Sequence, residues 1–284
     1  MHRRAFLART GVLLGALGTG QLRAACGDGA GIPRGDPSWT LIRASYPEML
    51  VGEGERVAFS LTTHENVPVE ESGVELYTRL PGGEVTGGPY DVELFAEGAL
   101  GLPLYLTHVD VAQAGPLELV AVSGGDYGLS TVNAVHPEDS TAPAPGDEAV
   151  STRTPTPDDP LGFEEICTRD PDCPLHDDSL DELLAAGRPV LVLFATPAYC
   201  QTAVCGPAVD TVLEVRDGRD WGDLAFLHVE IFTDAGVTVG APVTDWDLPS
   251  EPWLFAVGAD GRIAERLDGP MIHDELHRLA ERLA

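Results

Sequence analysis

The chain has 284 residues and carries 46 acidic residues against 17 basic ones, all of them arginine, for a formal net charge of −29. Such a surface repels phosphate groups, so it excludes nucleic acid as a partner and also docking on anionic lipid through a basic patch. The hydrophobic fraction of 43% is sufficient for folded cores. At about 150 residues per domain, the length predicts two domains.

The first 25 residues have the features of an export signal. Arg3 and Arg4 precede an apolar, glycine-rich stretch at residues 11–20, far shorter than the roughly 20 apolar residues of a membrane span. The run Arg3-Arg4-Ala5-Phe6-Leu7 resembles a twin-arginine motif, which implies export of an already folded protein. An ordinary secretory signal is the alternative.

Cys26 follows this signal directly. Ala24-Ala25-Cys26 resembles the end of a lipobox, although Arg23 stands where an aliphatic residue is expected. Cleavage before Cys26 with lipidation of that cysteine predicts an anchor on the outer face of the cell membrane. Plain cleavage near Ala25 predicts a periplasmic or secreted protein. Removal of residues 1–25 takes away four arginines and no acid, which leaves 13 − 46 = −33.

Composition divides the remaining chain into four parts. Residues 26–37 are rich in Gly, Pro and Asp and read as a tether. Residues 38–136 contain about seven short runs of alternating apolar and polar residues, which predicts an all-β Ig-like sandwich. Residues 137–160, rich in Pro, Ser, Thr and acid, predict a stiff, extended linker. Residues 161–284 change to an α/β pattern.

The α/β part has helix-like and strand-like segments in a defined order. A continuous apolar run at residues 190–194 indicates a buried strand. Apolar spacing and turn signals indicate the remaining elements. Helices are predicted at 179–186, 207–215 and 271–284, and further strands at 224–232, 253–257 and 262–267.

Two cysteines lie between the buried strand and the helix that follows it. Cys200, preceded by Tyr199, and Cys205 would lie near the helix N-terminus, where free N–H groups and the helix dipole stabilise a thiolate. The second cysteine could resolve a mixed disulfide. Pro252 opens the third strand. This βαβ–ββα order resembles the thioredoxin fold over about residues 161–284, and most of all the exported, membrane-tethered TlpA-like proteins.

The resemblance implies thiol–disulfide exchange with protein thiols and disulfides as partners. Cys200 would attack, and Cys205 would resolve the intermediate. Pro252 would be a cis proline against the cysteines, Glu251 before it would offer its backbone to the substrate, and Tyr199 would lie beside the site. No resident metal or cofactor is expected.

The loop departs from the family pattern in its spacing. Thioredoxins have Cys-x2-Cys, whereas four residues separate Cys200 from Cys205. Five steps along a regular helix rise about 7.5 Å, beyond the Cα separation of about 4.4–6.8 Å that a disulfide allows. We therefore predict that the helix begins at Pro207 and that the cysteines bracket a loop. Alternatively, Cys205-Gly206-Pro207 aligns with the thioredoxin Cys-Gly-Pro, which would make Cys205 the nucleophile.

Two further departures favour a second function. Leu193 stands near the position of a buried acid in thioredoxins, and the charge of Glu251 would raise a nearby thiol pKa. The alternative is a non-catalytic binding or interaction lipoprotein whose cysteine pairs are static disulfides.

The other cysteines and the histidines leave a third hypothesis open. Cys167 and Cys173 predict a structural disulfide; a second redox pair and a four-cysteine zinc site are alternatives, and the spacing disfavours zinc. A copper(I) chaperone-like protein would use Cys200, Cys205 and one histidine. Candidates are His176 and His273, whereas His228 lies in a strand pattern and is predicted to be core packing.

Overall fold

The computed structural model describes residues 31–95 and 101–284. A large β-sheet comes from the N-terminal part of the chain, and a four-stranded sheet with a few helices comes from the C-terminal part. The predicted signal and Cys26 lie outside the described residues. Within the described ranges, no helix has the length and apolar character needed to cross a membrane.

The N-terminal sheet is built from ten short strands within residues 31–95 and 101–135. They are β1 Trp39–Arg43, β2 Glu48–Leu50, β3 Gly52–Thr63, β4 Pro68–Val69, β5 Glu75–Arg79, β6 Val85–Asp91, β7 Glu93–Phe95, β8 Leu104–Val111, β9 Gly115–Ser123 and β10 Asp126–Val135. Their order is β6-β5-β9-β10-β1-β3-β8-β7, with β2 beside β10 and β4 beside β3. The sequence predicts about seven strands; β2 and β4 have only three and two residues and are too short to show an alternating pattern.

An aromatic pair occupies the middle of the N-terminal core. Phe59 and Tyr105 are fully buried, and their rings stack with centroids 5.2 Å apart. The Tyr105 hydroxyl accepts the backbone N–H of Glu71 at 2.7 Å and donates to the carbonyl of Val69 at 3.1 Å. The Tyr105 hydroxyl therefore links β8 to Val69 in β4 and to Glu71 just after it.

Replacement of Tyr105 by Phe should lower the free energy of unfolding by about 1–2 kcal/mol. The ring packing is kept, but the N–H of Glu71 loses its acceptor and the carbonyl of Val69 loses its donor in a part-buried setting. Urea unfolding of the full chain measures the loss. Tyr90→Phe is the matched control, because the Tyr90 hydroxyl bonds to Asp110 in an exposed setting, and it should cost less than about 0.5 kcal/mol. Equal losses in the two variants would contradict this role of Tyr105.

The C-terminal sheet has the order β12-β11-β13-β14. Its strands β11 and β12 are parallel, and the other neighbouring pairs are antiparallel. Every residue of β11 is buried, in agreement with the continuous apolar run. The bounds are α1 Leu180–Ala185, β11 Val190–Ala195, α2 Cys205–Asp217, β12 Ala225–Glu230, α3 Ala241–Asp245, β13 Trp253–Val257, β14 Ile263–Asp268 and α4 His273–Leu283.

Helices cover both faces of this sheet. Apolar residues of α2 and α4 pack with Leu191, Leu193 and Leu254 on one face. Residues of α1 and α3 pack with Val192 and Phe194 on the other. The βαβ–ββα order expected from the sequence is present, with α3 added. At five residues, α3 is too short to give a periodic signal.

The start of α2 corrects the expectation that the helix begins at Pro207. The helix begins at Cys205, because the N–H of Ala208 already donates to the carbonyl of Val204 at 3.0 Å. Pro207 fits into this first turn, where its missing N–H would have no intrahelical partner. Cys200 stays outside the helix, so the helical spacing argument against a disulfide does not apply.

Residues 137–160 connect the two sheets, and part of this segment packs against the C-terminal sheet. We call residues 141–154 the strap. Ala144 is fully buried, and the N–H of Gly146 donates to the carbonyl of Ile263 at 2.8 Å. Ile263 returns a bond to Asp147 at 3.0 Å, and Ala149 donates to Gly261 at 2.9 Å. The small side chains let the strap lie close against β14.

A buried arginine joins the N-terminal sheet to the C-terminal helix α4. Arg56 on β3 contacts Glu275 through Nε at 2.6 Å and Nη2 at 2.9 Å. It also donates to the carbonyls of Asp268 at 3.0 Å and Pro270 at 2.7 Å. The Arg56 and Glu275 side chains are only 9% and 7% exposed. The two sheets are therefore joined through a charge pair that water hardly reaches.

Candidate functional site

Cys200 lies in the loop between β11 and α2, with its sulfur at the N-terminus of the helix. The backbone N–H of Cys205 donates to Cys200 Sγ at 3.4 Å, and Thr202 Oγ1 lies 3.4 Å from the same sulfur. Ala203 takes a positive φ of 57°, which folds the loop back towards the helix. Cys200 is half-buried, whereas Cys205 is fully buried.

The two thiols differ in acidity because one donates to the other. A hydrogen bond from the Cys205 thiol, aided by Thr202 and by backbone N–H groups, lowers the pKa of Cys200 to about 5 in spite of its burial. The pKa of Cys205 is raised, first by that same bond and then by burial. Near neutral pH Cys200 is therefore a thiolate, and Cys205 keeps its proton.

Glu251 and Pro252 lie beside this loop. The peptide bond between them is cis, the geometry that the family resemblance implies. Burial raises the pKa of Glu251, and the charge of Cys200 adds to the effect, while a backbone bond from Gln201 opposes it. Glu251 in turn helps to raise the pKa of Cys205. The expected electrostatic effect of Glu251 thus falls on the buried thiol, and the pKa of Cys200 remains low.

Tyr199 and Leu193 take structural positions next to the loop. The Tyr199 ring packs edge-on against Phe232, with centroids 6.2 Å apart. Leu193 is fully buried in the core below α2. A buried acid does exist nearby, but on β12: Glu230 is fully buried and accepts from the N–H and hydroxyl of Thr168 at 3.1 and 2.7 Å. In the sequence, the indication of this buried acid is that Glu230 stands alone at the end of an apolar run.

An apolar groove of about 430 Å³ opens beside the cysteine loop. One wall comes from the C-terminal part, including Thr202, Val204 and Glu251. The other comes from the N-terminal part, including residues 42–47 and Leu104. A molecule that reaches Cys200 along this groove would therefore touch both parts of the chain.

Cys167 and Cys173 lie elsewhere, in a buried group with two histidines. Both are free thiols, with their sulfurs 3.6 Å apart. The ligand atoms of Cys167, Cys173, His176 and His228 all lie within 4.8 Å of one another. The hydrogen bond between the two thiols is the first cause of a lowered pKa for Cys167 and of a raised pKa for Cys173. We call these four residues the Cys2His2 cluster.

The histidines are not placed as the sequence predicts. His228, expected to be packing, belongs to the Cys2His2 cluster, and so does His176. His273 is exposed and lies 3.2 Å from Asp274. In residues 31–95 and 101–284, no other set of three or more ligand side chains is found. Among these residues no histidine forms a ligand group with Cys200 and Cys205, the set that the copper(I) alternative would use. The missed signal was the spacing Cys173-x2-His176.

Comparisons with known proteins give only weak likenesses. No protein-family model and no curated protein sequence matches the chain. A solved thiol:disulfide interchange protein of the thioredoxin family from Chlorobium tepidum TLS is 14% identical over 50% of this chain and 99% of its own, with a TM-score of 0.35. The Lin-41 filamin domain is 12% identical over 35% of this chain and 93% of its own, with a TM-score of 0.24. Both TM-scores are low, so the function has to be inferred from the chain's own residues.

Proposed function

We propose that the chain is a thiol–disulfide exchange protein in which Cys200 is the nucleophile and Cys205 is the resolving cysteine. The observation that carries the proposal is the geometry at the start of α2, where the sulfur of partly exposed Cys200 accepts the N–H of fully buried Cys205 and the pKa of Cys200 is lowered to about 5. Thiolate is the reacting form of cysteine, and access decides which of two cysteines meets a partner. Full burial of Cys205 argues against the alternative assignment in which it attacks first.

The exchange needs only the two cysteines and a protein partner. The Cys200 thiolate attacks one sulfur of a substrate disulfide, that S–S bond breaks, and one substrate thiolate leaves. Cys205 then loses its proton and attacks Cys200 Sγ, which expels the second substrate thiolate. The substrate gains two electrons, and the chain ends with a Cys200–Cys205 disulfide. A partner protein dithiol would restore the thiols by the same steps in reverse.

The low pKa of Cys200 favours the opposite net reaction, in which the disulfide form of the chain oxidises a substrate dithiol. A low pKa stabilises the thiolate, and hence the reduced form of the pair, which makes the disulfide form a stronger oxidant. Cys200 is also a good leaving group from a mixed disulfide for the same reason. A protein disulfide of higher potential would then have to reoxidise the pair.

The cellular setting of the proposal rests on the sequence. We place the protein outside the cytoplasm, with a twin-arginine type signal at residues 1–25 and a lipid anchor on Cys26. In this arrangement, an Ig-like domain at residues 38–136 stands between the anchor and a thioredoxin-like domain at residues 161–284. The high negative charge is compatible with tethering by lipid and gives no attraction of its own to anionic membranes.

The direct test is to replace Cys200 by Ser in the full chain. Reduction of a protein disulfide, and oxidation of a peptide dithiol by the oxidised chain, should both fall to the uncatalysed rate. Thr211→Ala, at a partly exposed position of α2, is the matched control and should keep both rates. Unchanged rates in Cys200→Ser, or a Cys200–Cys205 potential below about −300 mV, would instead favour the interaction protein with static disulfides.

A further inference from the structure

The Cys2His2 cluster has the burial and composition of a closed metal site. Cys167, Cys173, His176 and His228 are 6%, 6%, 4% and 1% exposed. Three of them come from the segment before α1, and His228 comes from the parallel strand β12. Two sulfurs and two imidazole nitrogens form one of the usual ligand sets of structural zinc.

Four of the six distances between ligand atoms are close to those around a tetrahedral ion, and the other two are no longer than 4.8 Å. With Zn–S bonds of about 2.3 Å and Zn–N bonds of about 2.0–2.1 Å, tetrahedral angles place two sulfurs about 3.8 Å apart and a sulfur and a nitrogen about 3.6 Å apart. The Cys167 and Cys173 sulfurs are 3.6 Å apart. Nδ1 of His228 lies 3.3 Å from Cys173 Sγ and 3.9 Å from Cys167 Sγ, and Nε2 of His176 lies 3.3 Å from Cys173 Sγ.

Groups behind the ligands hold them in this orientation. Nε2 of His228 lies 3.0 Å from the carbonyl of Ala195, so this nitrogen carries the proton and Nδ1 offers its lone pair to the cluster. Buried Glu230 accepts both bonds from Thr168, next to Cys167. Among the described residues, nothing pairs with Nδ1 of His176, and that ring is held by packing, with its centroid 4.9 Å from the His228 ring.

We propose that Cys167, Cys173, His176 and His228 bind one zinc ion as a structural site. Binding replaces the thiol protons: Zn²⁺ enters, two protons leave, and two thiolates with two neutral imidazoles complete the four bonds. The resulting site has no net charge, as a buried position requires. A copper(I) ion in the same place would leave one uncompensated negative charge.

The zinc site would also stabilise the loop between β11 and α2 that carries Cys200. Thr168, next to Cys167, accepts the backbone N–H of Ala198 at 3.1 Å, two residues before Cys200. The zinc ion would thus fix the segment before α1 to β12 and, through Thr168, to the loop that carries Cys200. The inference does not depend on exchange activity, because neither Cys200 nor Cys205 is among the ligands.

Metal analysis of the full chain tests the site. Protein purified without chelator from zinc-supplemented cells should contain about one zinc per chain. Cys173→Ser and His228→Ala should each lose most of it, whereas the double variant Cys200→Ser/Cys205→Ser should keep it. Zinc retained by the first two variants, or lost from the double variant, would overturn the assignment.

A second measurement avoids variants that fail to fold. Alkylation of the wild-type chain, followed by mass spectrometry of its peptides, reports on each cysteine separately. Cys167 and Cys173 should resist alkylation with zinc present, react after chelation, and regain protection when zinc is returned. Isolation of a Cys167–Cys173 disulfide from the freshly purified, metal-free chain would instead support the structural disulfide predicted from sequence.

Discussion

Cys200 is expected to react with iodoacetamide at a rate that rises with pH and levels off near pH 6, because its pKa is lowered to about 5. An ordinary cysteine, with a pKa of about 8.5, levels off only above about pH 9. The rate should be followed on Cys200 alone, by mass spectrometry of its peptide in the reduced chain. A profile that levels off near pH 9 would remove the observation on which the proposed function rests.

Replacement of Cys205 by Ala should move this profile to higher pH. The variant lacks the thiol that donates to Cys200 Sγ, the largest cause of the low pKa. The first unit of increase roughly halves the thiolate fraction at pH 6, and further units reduce it by about five- to tenfold each, so alkylation at pH 6 should slow by at least about twofold. Cys205→Ser is the matched control: its hydroxyl can still donate, and its profile should lie between those of the wild type and Cys205→Ala.

The same pKa gives the reduced chain a defined pH dependence of stability. The pKa of Cys200 is lower in the folded chain than in the unfolded one, so the unfolded chain binds more protons between these values. The contribution of Cys200 to stability is therefore complete above the unfolded pKa. It is lost as the pH falls through about 5.

Replacement of Arg56 by Met should cost about 3–5 kcal/mol in the free energy of unfolding. The change leaves the buried carboxylate of Glu275 without its partner, and an uncompensated buried charge is strongly destabilising. The carbonyls of Asp268 and Pro270 lose their donors as well. Denaturant unfolding of the full chain, followed by separate probes in the two parts, measures the loss.

Two further variants show whether burial of the charge is the cause. Arg153 pairs with Asp159 on the surface, where the side chains are 64% and 50% exposed, so Arg153→Met should cost less than about 1 kcal/mol. Arg56→Met/Glu275→Leu removes both buried charges and should recover much of the loss. If Arg56→Met costs no more than Arg153→Met, the buried pair does not hold the two sheets together.

The sequence predicts best what its local patterns determine. The continuous apolar run gave β11 almost to the residue, and Trp253–Val257 matches its predicted strand. The alternating runs identified the N-terminal part as β-structure. Composition alone does not show that part of residues 137–160 packs against the C-terminal sheet. Small side chains and prolines look like a spacer, and only a facing surface of the right shape lets Ala144 be buried.

The same limit applies to the two cysteine sites: contacts between residues close in sequence are predictable, and contacts between distant residues are not. Cys200 and Cys205 lie close in sequence, and their position between a predicted strand and a predicted helix indicates that they lie close together at the start of that helix. His228 joins the Cys2His2 cluster only because β12 pairs in parallel with β11 and because the segment before α1 passes beside it. His228 lies 55 positions after Cys173 in the sequence. No local sequence pattern shows a contact across so many residues, so the sequence predicts only that a histidine in a strand packs in the core.

The strap has a consequence for how the C-terminal sheet behaves in a crowded environment. An uncovered outer strand offers free N–H and carbonyl groups to any other chain and invites aggregation. At the β14 edge, Ile263 uses both of its backbone groups on the strap. At the β12 edge, the N–H of His228 donates to the carbonyl of Leu175 at 2.9 Å. Irregular segments thus occupy positions where a foreign strand would add, and this protects the sheet from intermolecular pairing without any further strand.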